Sequence, residues 1–113
     1  MNRLSTRYFS NKQEKAVAEK VGGRQTSNSG ATAFDKGDVC TKEIMFECKT
    51  SMSDKNSYSV KKEVLEKVEK EKCQAGKTFS CLVFNFGPNQ ENYYVINEKF
   101  MQFVMDNFNK FLE

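Results

Sequence analysis

The amino-acid sequence predicts an α/β domain: a central mixed five-stranded sheet flanked by helices, in the order helix, three strands, helix, two strands, helix. Three observations carry this. Residues 37–41 and 44–50 alternate apolar and polar side chains on either side of a tight Lys42-Glu43 turn, the pattern of a β-hairpin. Residues 78–86, with Cys81-Leu82-Val83-Phe84 inside them, give a strong strand signal. Apolar residues return every three or four positions in 60–75 and again beyond Asn97, as they do on one side of a helix.

Ser10 followed three residues later by Gln13 resembles a capping box. A short helix is therefore expected over 13–21, stopped by Gly22-Gly23 and leaving 1–9 as a flexible arm. A brief strand at 24–26 and a mobile loop rich in Gly, Ser, Thr and Asn lead into the hairpin. The polar connection SMSDKNSYS ends at Ser59, which is expected to cap a helix over 60–75 with Val60, Val64, Leu65 and Val68 on one side and Gly76 at its end. After strand 78–86, Gly87-Pro88-Asn89 turns the chain into a last strand at 93–96. Asn97 then caps a final helix whose Phe100, Phe103, Val104, Phe108, Phe111 and Leu112 form a stripe suited to a core or to an interface between two copies.

Composition narrows the class. At 113 residues, 1–113 reads as a single domain, too small for two cores. No apolar run approaches the roughly 20 residues that a bilayer-spanning helix needs. The first thirteen residues hold three basic side chains and no acid, as organelle transit peptides do, yet they have no secretory-type apolar core and lead directly into a helix. Cys40, Cys48, Cys73 and Cys81 form no CxxC, and no His completes a zinc site, so four reduced thiols in a cytoplasmic protein are expected. Net charge is only +3, but 1–34 holds six Lys/Arg against two Glu and 59–77 six against four. That is a modest basic footprint for a polyanion, and a solvated lysine-rich helix would produce it equally.

The hairpin carries the chemistry. In 44–50, Ile44, Phe46 and Cys48 face one way while Met45, Glu47 and Lys49 face the other. Asp38, early in the partner strand, comes alongside Glu47. Two carboxylates converging there repel unless a cation lies between them, and an all-oxygen pair suits magnesium or manganese. The Lys49 ammonium beside such an ion can orient or deprotonate an attacking water, or neutralise charge building on a phosphate. The tripeptide alone says nothing, because 11 Glu and 15 Lys give roughly 1.5 occurrences of Glu-x-Lys by chance, and the chain has one. Its place inside a hydrophobic strand, one strand after an Asp, is what singles it out. An exposed cross-strand ion pair is the plain alternative.

Asp38, then Glu47-Cys48-Lys49 on the following strand, after a helix with an early Glu, resembles the PD-(D/E)xK nuclease superfamily and, within it, the archaeal and phage Holliday junction resolvases. The likeness runs over residues 10–86. QEKAVAEKVGGRQTSNSGATAFDKGDV is similar to their opening of helix, strand, Ser/Gly-rich loop and metal Asp, and FECKTSMSDKNSYSVKKEVLEKV to their Glu-x-Lys strand and the basic helix after it.

The resemblance implies a restriction-endonuclease-like core and a magnesium- or manganese-dependent endonuclease acting on DNA, with a four-way junction as substrate. It implies Asp38 and Glu47 as metal ligands helped by the main-chain carbonyl of Cys48, Lys49 as the catalytic lysine, and Glu14 as the helix acid, Glu19 being the other candidate. Arg24, Ser27 and Ser29 fall where the family approaches the scissile phosphate, and Lys61 or Lys62 where a basic residue opens the middle helix. Symmetric nicks need two sites on one junction, so a homodimer through the final helix is expected. Gly37 stands where the motif has proline, and the carboxyl end is short. The second departure leaves room for a general structure-selective endonuclease of a phage or mobile element, or a non-catalytic DNA-binding module on the same fold.

Overall fold

The computed structural model describes residues 6–26 and 37–112. Its elements are α1 (Thr6–Val21), β1 (Arg24–Gln25), β2 (Val39–Cys40), β3 (Ile44–Lys49), α2 (Lys62–Gln74), β4 (Phe79–Phe84), β5 (Tyr93–Val95) and α3 (Glu98–Leu112). The strands lie in one open sheet in the order of the chain, all neighbours antiparallel except β3 and β4, which are parallel. The sheet is therefore mixed and five-stranded with three helices, in the predicted order.

A parallel pair must be joined by a crossover, and α2 makes it. The pairing runs from Ile44 opposite Phe79 to Lys49 opposite Phe84. Central parallel strands need cover on both faces. On one, Phe46, Cys48, Cys81 and Val83 pack with Val17 of α1 and Phe100 of α3. On the other, Met45 and Leu82 are fully buried beneath α2, whose Val68 is buried and whose Glu69 accepts a hydrogen bond from Ser80 Oγ.

Two helix starts differ from expectation. α1 begins at Thr6, so residues 6–9 are helical rather than an arm; residues 1–5 lie outside the described residues, as does most of the expected mobile loop (27–36). Ser10 is inside the helix, its Oγ donating back to the Arg7 carbonyl at 3.2 Å instead of capping. Nothing between Thr6 and Lys12 breaks a helix, and these turns bury no residue, so apolar spacing carries no signal there. α2 begins at Lys62 rather than after Ser59. Lys61, extended at φ −88° and ψ 137°, is its N-cap without a side-chain bond, and its carbonyl accepts from Val64 and Leu65 at 3.1 and 3.3 Å.

The other ends follow the sequence. Gly76 leaves α2 at φ +71°, and Asn97 Oδ1 accepts from the Phe100 N–H at 2.9 Å. The phenylalanine stripe divides. Phe100 is buried and stacks on Phe79 at 4.4 Å, with Phe103 5.1 Å from the same ring, whereas every residue from Met101 to Leu112 is exposed. The four cysteines are free thiols, Cys40, Cys48 and Cys81 buried and Cys73 exposed. Among the described residues no helix is long and apolar enough to cross a membrane.

Candidate active site

Asp38 precedes the first ladder pair of the hairpin, Val39 opposite Phe46, and is fixed on both sides. Its N–H donates to the Phe46 carbonyl at 2.9 Å, and its own carbonyl accepts from the Thr26 N–H at 3.0 Å. Its carboxylate Oδ2 accepts from the Cys48 N–H at 2.8 Å. Gly37, at φ +82°, lets the chain come this close: a Cβ there would stand 2.6 Å from Met45 Cγ and 3.1 Å from the Phe46 carbonyl. Glycine at 37 is thus a requirement of packing against β3. In a strand, the N–H and C=O of one residue point to the same side. The Cys48 carbonyl therefore faces the Asp38 side of β3.

Two further carboxylates feel the charge of Asp38. Glu47 lies on the α2 face of β3 and Glu14, 6 % exposed, comes from α1. Burial pushes the Glu47 carboxyl above its usual range, the Asp38 charge pushes it further, and Lys49 draws it back. Burial and the Asp38 charge likewise raise Glu14. Burial also raises Asp38, against the Cys48 N–H and the charge of Lys49. The buried Cys48 thiol is pushed up by burial and then by Asp38, Glu14 and Glu47. Lys49 Nζ stands 3.4 Å from Glu47 Oε2 with its side chain 42 % exposed, so an ammonium lies at the open mouth of the acidic group.

The other expected residues are placed unevenly. Glu19 is exposed and takes no part. Arg24 pairs with Cys40 on the outermost strand and lines a separate cleft with Lys42 and Lys77, towards the opposite end of β3 from Lys49. Lys61 and Lys62 are exposed at the start of α2, and Ser27 and Ser29 lie outside the described residues. Sequence reasoning missed Lys67 and Glu71, one helical turn apart on α2, whose charges act on Asp38, lowering and raising it. Their spacing from Val64 and Val68 could have placed them towards the sheet. Also missed were Tyr58, which stacks on Phe84 at 4.4 Å and whose hydroxyl responds to Lys49 and Glu47, and Gln13, whose Nε2 donates to the Lys49 carbonyl at 2.9 Å.

Among the described residues, no three Cys, Asp or Glu side chains stand close enough together to hold a metal ion by themselves. The oxygen donors at hand are the carboxylates of Asp38 and Glu47 and the Cys48 carbonyl. Magnesium asks for only one or two carboxylates and keeps several waters. Acids raised by burial and mutual repulsion are relieved by a divalent charge, so the donor set fits such an ion. No family model matches the chain, and neither a curated protein nor a solved structure matches it.

Proposed function

We propose that this chain is a metal-dependent DNA endonuclease of the PD-(D/E)xK type, on a restriction-endonuclease-like core, and that its substrate is a four-way junction in the cytoplasm. The observation that carries the reading is the Asp38 carboxylate fixed on the Cys48 N–H at 2.8 Å, with Glu47 and Lys49 on either side of Cys48 and paired to each other at 3.4 Å. Asp38, Glu47 and the Cys48 carbonyl are the oxygens that would hold magnesium or manganese, and Glu14 would act on that shell through water. When bound, the ion supplies charge for the phosphate and lowers the pKa of water.

Lys49, braced by Glu47, orients the attacking water and meets the charge that builds on the phosphate oxygens. Water oxygen bonds to phosphorus and gives up one proton to solvent, the bond from phosphorus to the departing sugar oxygen breaks, and that oxygen takes up a proton from solvent. Lys61, Lys62 and Lys67 along α2 give the backbone of the DNA its countercharge, with Ser27, Ser29 and Arg24 as contacts to the flanking strand.

A junction needs two nicks, so the active species is a homodimer. The uncovered apolar side of α3, from Val104 to Leu112, is the surface that supports this. The test is nicking of a labelled four-way junction with magnesium, beside linear duplex and single strand. The junction should be cut in two symmetric places and Asp38→Asn should cut none. Full activity in Asp38→Asn would remove the site assignment, and cutting of duplex as fast as junction would favour the general endonuclease.

A further inference from the structure

Beside the carboxylates, at the Lys49 end of the sheet, a cleft of about 260 Å³ lies between α1 and the turn joining β4 to β5. Phe9, Ala16 and Pro88 give it an apolar floor, amides of Gln13, Gln90 and Asn92 stand around it, and no carboxylate lines it. Its one cation, Lys12, is already engaged, donating to Asn89 Oδ1. Such walls do not suit a phosphate or a metal ion, which call for charge. They suit a flat ring with donors and acceptors along its edge, and amides pair with the edge of adenine in this way. The volume lies just below the roughly 300 Å³ at which small-ligand pockets begin, room for a base rather than a whole nucleotide.

The cleft is wired to the site. Gln13, 5 % exposed, donates from Nε2 to the Lys49 carbonyl at 2.9 Å and to Asn92 Oδ1 at 3.1 Å. Its Oε1 is buried without a hydrogen-bond partner among the described residues. Buried acceptors are rarely left so, and a shift of the Gln13 side chain on binding would bring this one to a donor in the cleft. Thr50, which follows Lys49 and faces the other way, lines the cleft, so a nucleotide with its phosphate at Lys49 would pass its base around the end of β3 to reach it.

We propose that this cleft receives one unpaired nucleobase, extruded from the strand whose phosphate lies at Lys49. The proposal rests on the nuclease reading for its DNA. A base leaves its stack at least cost where pairing is already broken, as at a branch point, so the cleft would select branched DNA over duplex without reading a sequence.

Two measurements test it. Millimolar adenosine, added to the metal-free protein, should shift the side-chain amide resonances of Gln13, Gln90 and Asn92, and ribose 5-phosphate should not. On a junction carrying 2-aminopurine at the branch point, in EDTA so that nothing is cut, fluorescence should rise severalfold on binding. Gln90→Leu, at the exposed rim, and Asn92→Leu should each abolish the rise on a junction shown by titration to be bound, and should narrow the preference for junction over linear duplex. Unmoved amide resonances, or flat fluorescence on a junction shown to be bound, would overturn the proposal. Amide shifts with adenosine in a protein that neither binds nor nicks DNA would keep the cleft as a nucleobase site and overturn the nuclease reading instead.

Discussion

Glu14 and Glu47 are each held within the repulsion of Asp38. All three carboxyls are raised by burial, with the Asp38 charge adding to Glu14 and Glu47, and Glu71 adding to Asp38. A raised folded-state pKa means that the folded protein keeps protons the unfolded chain has released. The stability this gives is complete below the ordinary carboxylate pKa near 4 and is lost as pH rises through the raised values. Asp38→Asn keeps an oxygen for the Cys48 N–H but removes the charge. At neutral pH and without metal it should melt a few degrees above wild type, on the order expected for a change of about 1 kcal/mol, and the gain should vanish towards pH 4. A gain that is the same at both pH values would contradict the carboxylate cluster. Lysines separate differently: Lys49→Ala should slow nicking by several orders of magnitude with little change in affinity, whereas Lys61→Ala or Lys62→Ala should weaken binding and flatten its salt dependence. Equal losses of affinity from all three, read by titration at two salt concentrations, would make Lys49 one more phosphate contact.

The hairpin was legible because β3 obeys a period of two and Gly37 and the Lys42-Glu43 turn punctuate it. The start of α1 was not. Of its three buried residues two are Gln13 and Glu14, polar side chains that serve the site, so apolar periodicity is blind to the helix that carries them. Tyr58 was hidden for another reason, since its stacking on Phe84 joins a polar connection to a strand far along the chain and leaves no local pattern. That Glu14 is buried and Glu19 exposed was likewise outside the reach of apolar spacing. The uncapped start of α2 offers a direct check. Lys61→Asp supplies the missing acceptor and a favourable charge at a helix N-terminus, so it should stabilise by about 1 kcal/mol in chemical denaturation while weakening DNA binding. Gly37→Ala should cost about 2 kcal/mol or more, from its positive φ and its contact with Met45, and a neutral result in the same denaturation would show that the backbone there is free to move.

α3 gives the body little beyond Phe100 and Phe103, and leaves Met101, Met105, Phe108, Phe111 and Leu112 exposed. Light scattering at micromolar concentration should find a dimer, and Phe108→Lys or Phe111→Lys should give a monomer that makes single nicks. A wild-type monomer that still makes paired nicks would refute the two-site account. The sheet itself has a simple history written into it: strand order follows chain order, so no strand has to slip between two that are already paired. During synthesis the sheet can grow outward from one edge, each strand laid on the one made just before it. Glu14, Asp38, Glu47 and Lys49 are all synthesised before β4 is. The nascent chain thus carries these four side chains for a time without the strand that packs beside them, and the arrival of β4 with α2 is the step that covers β3 and fixes their positions.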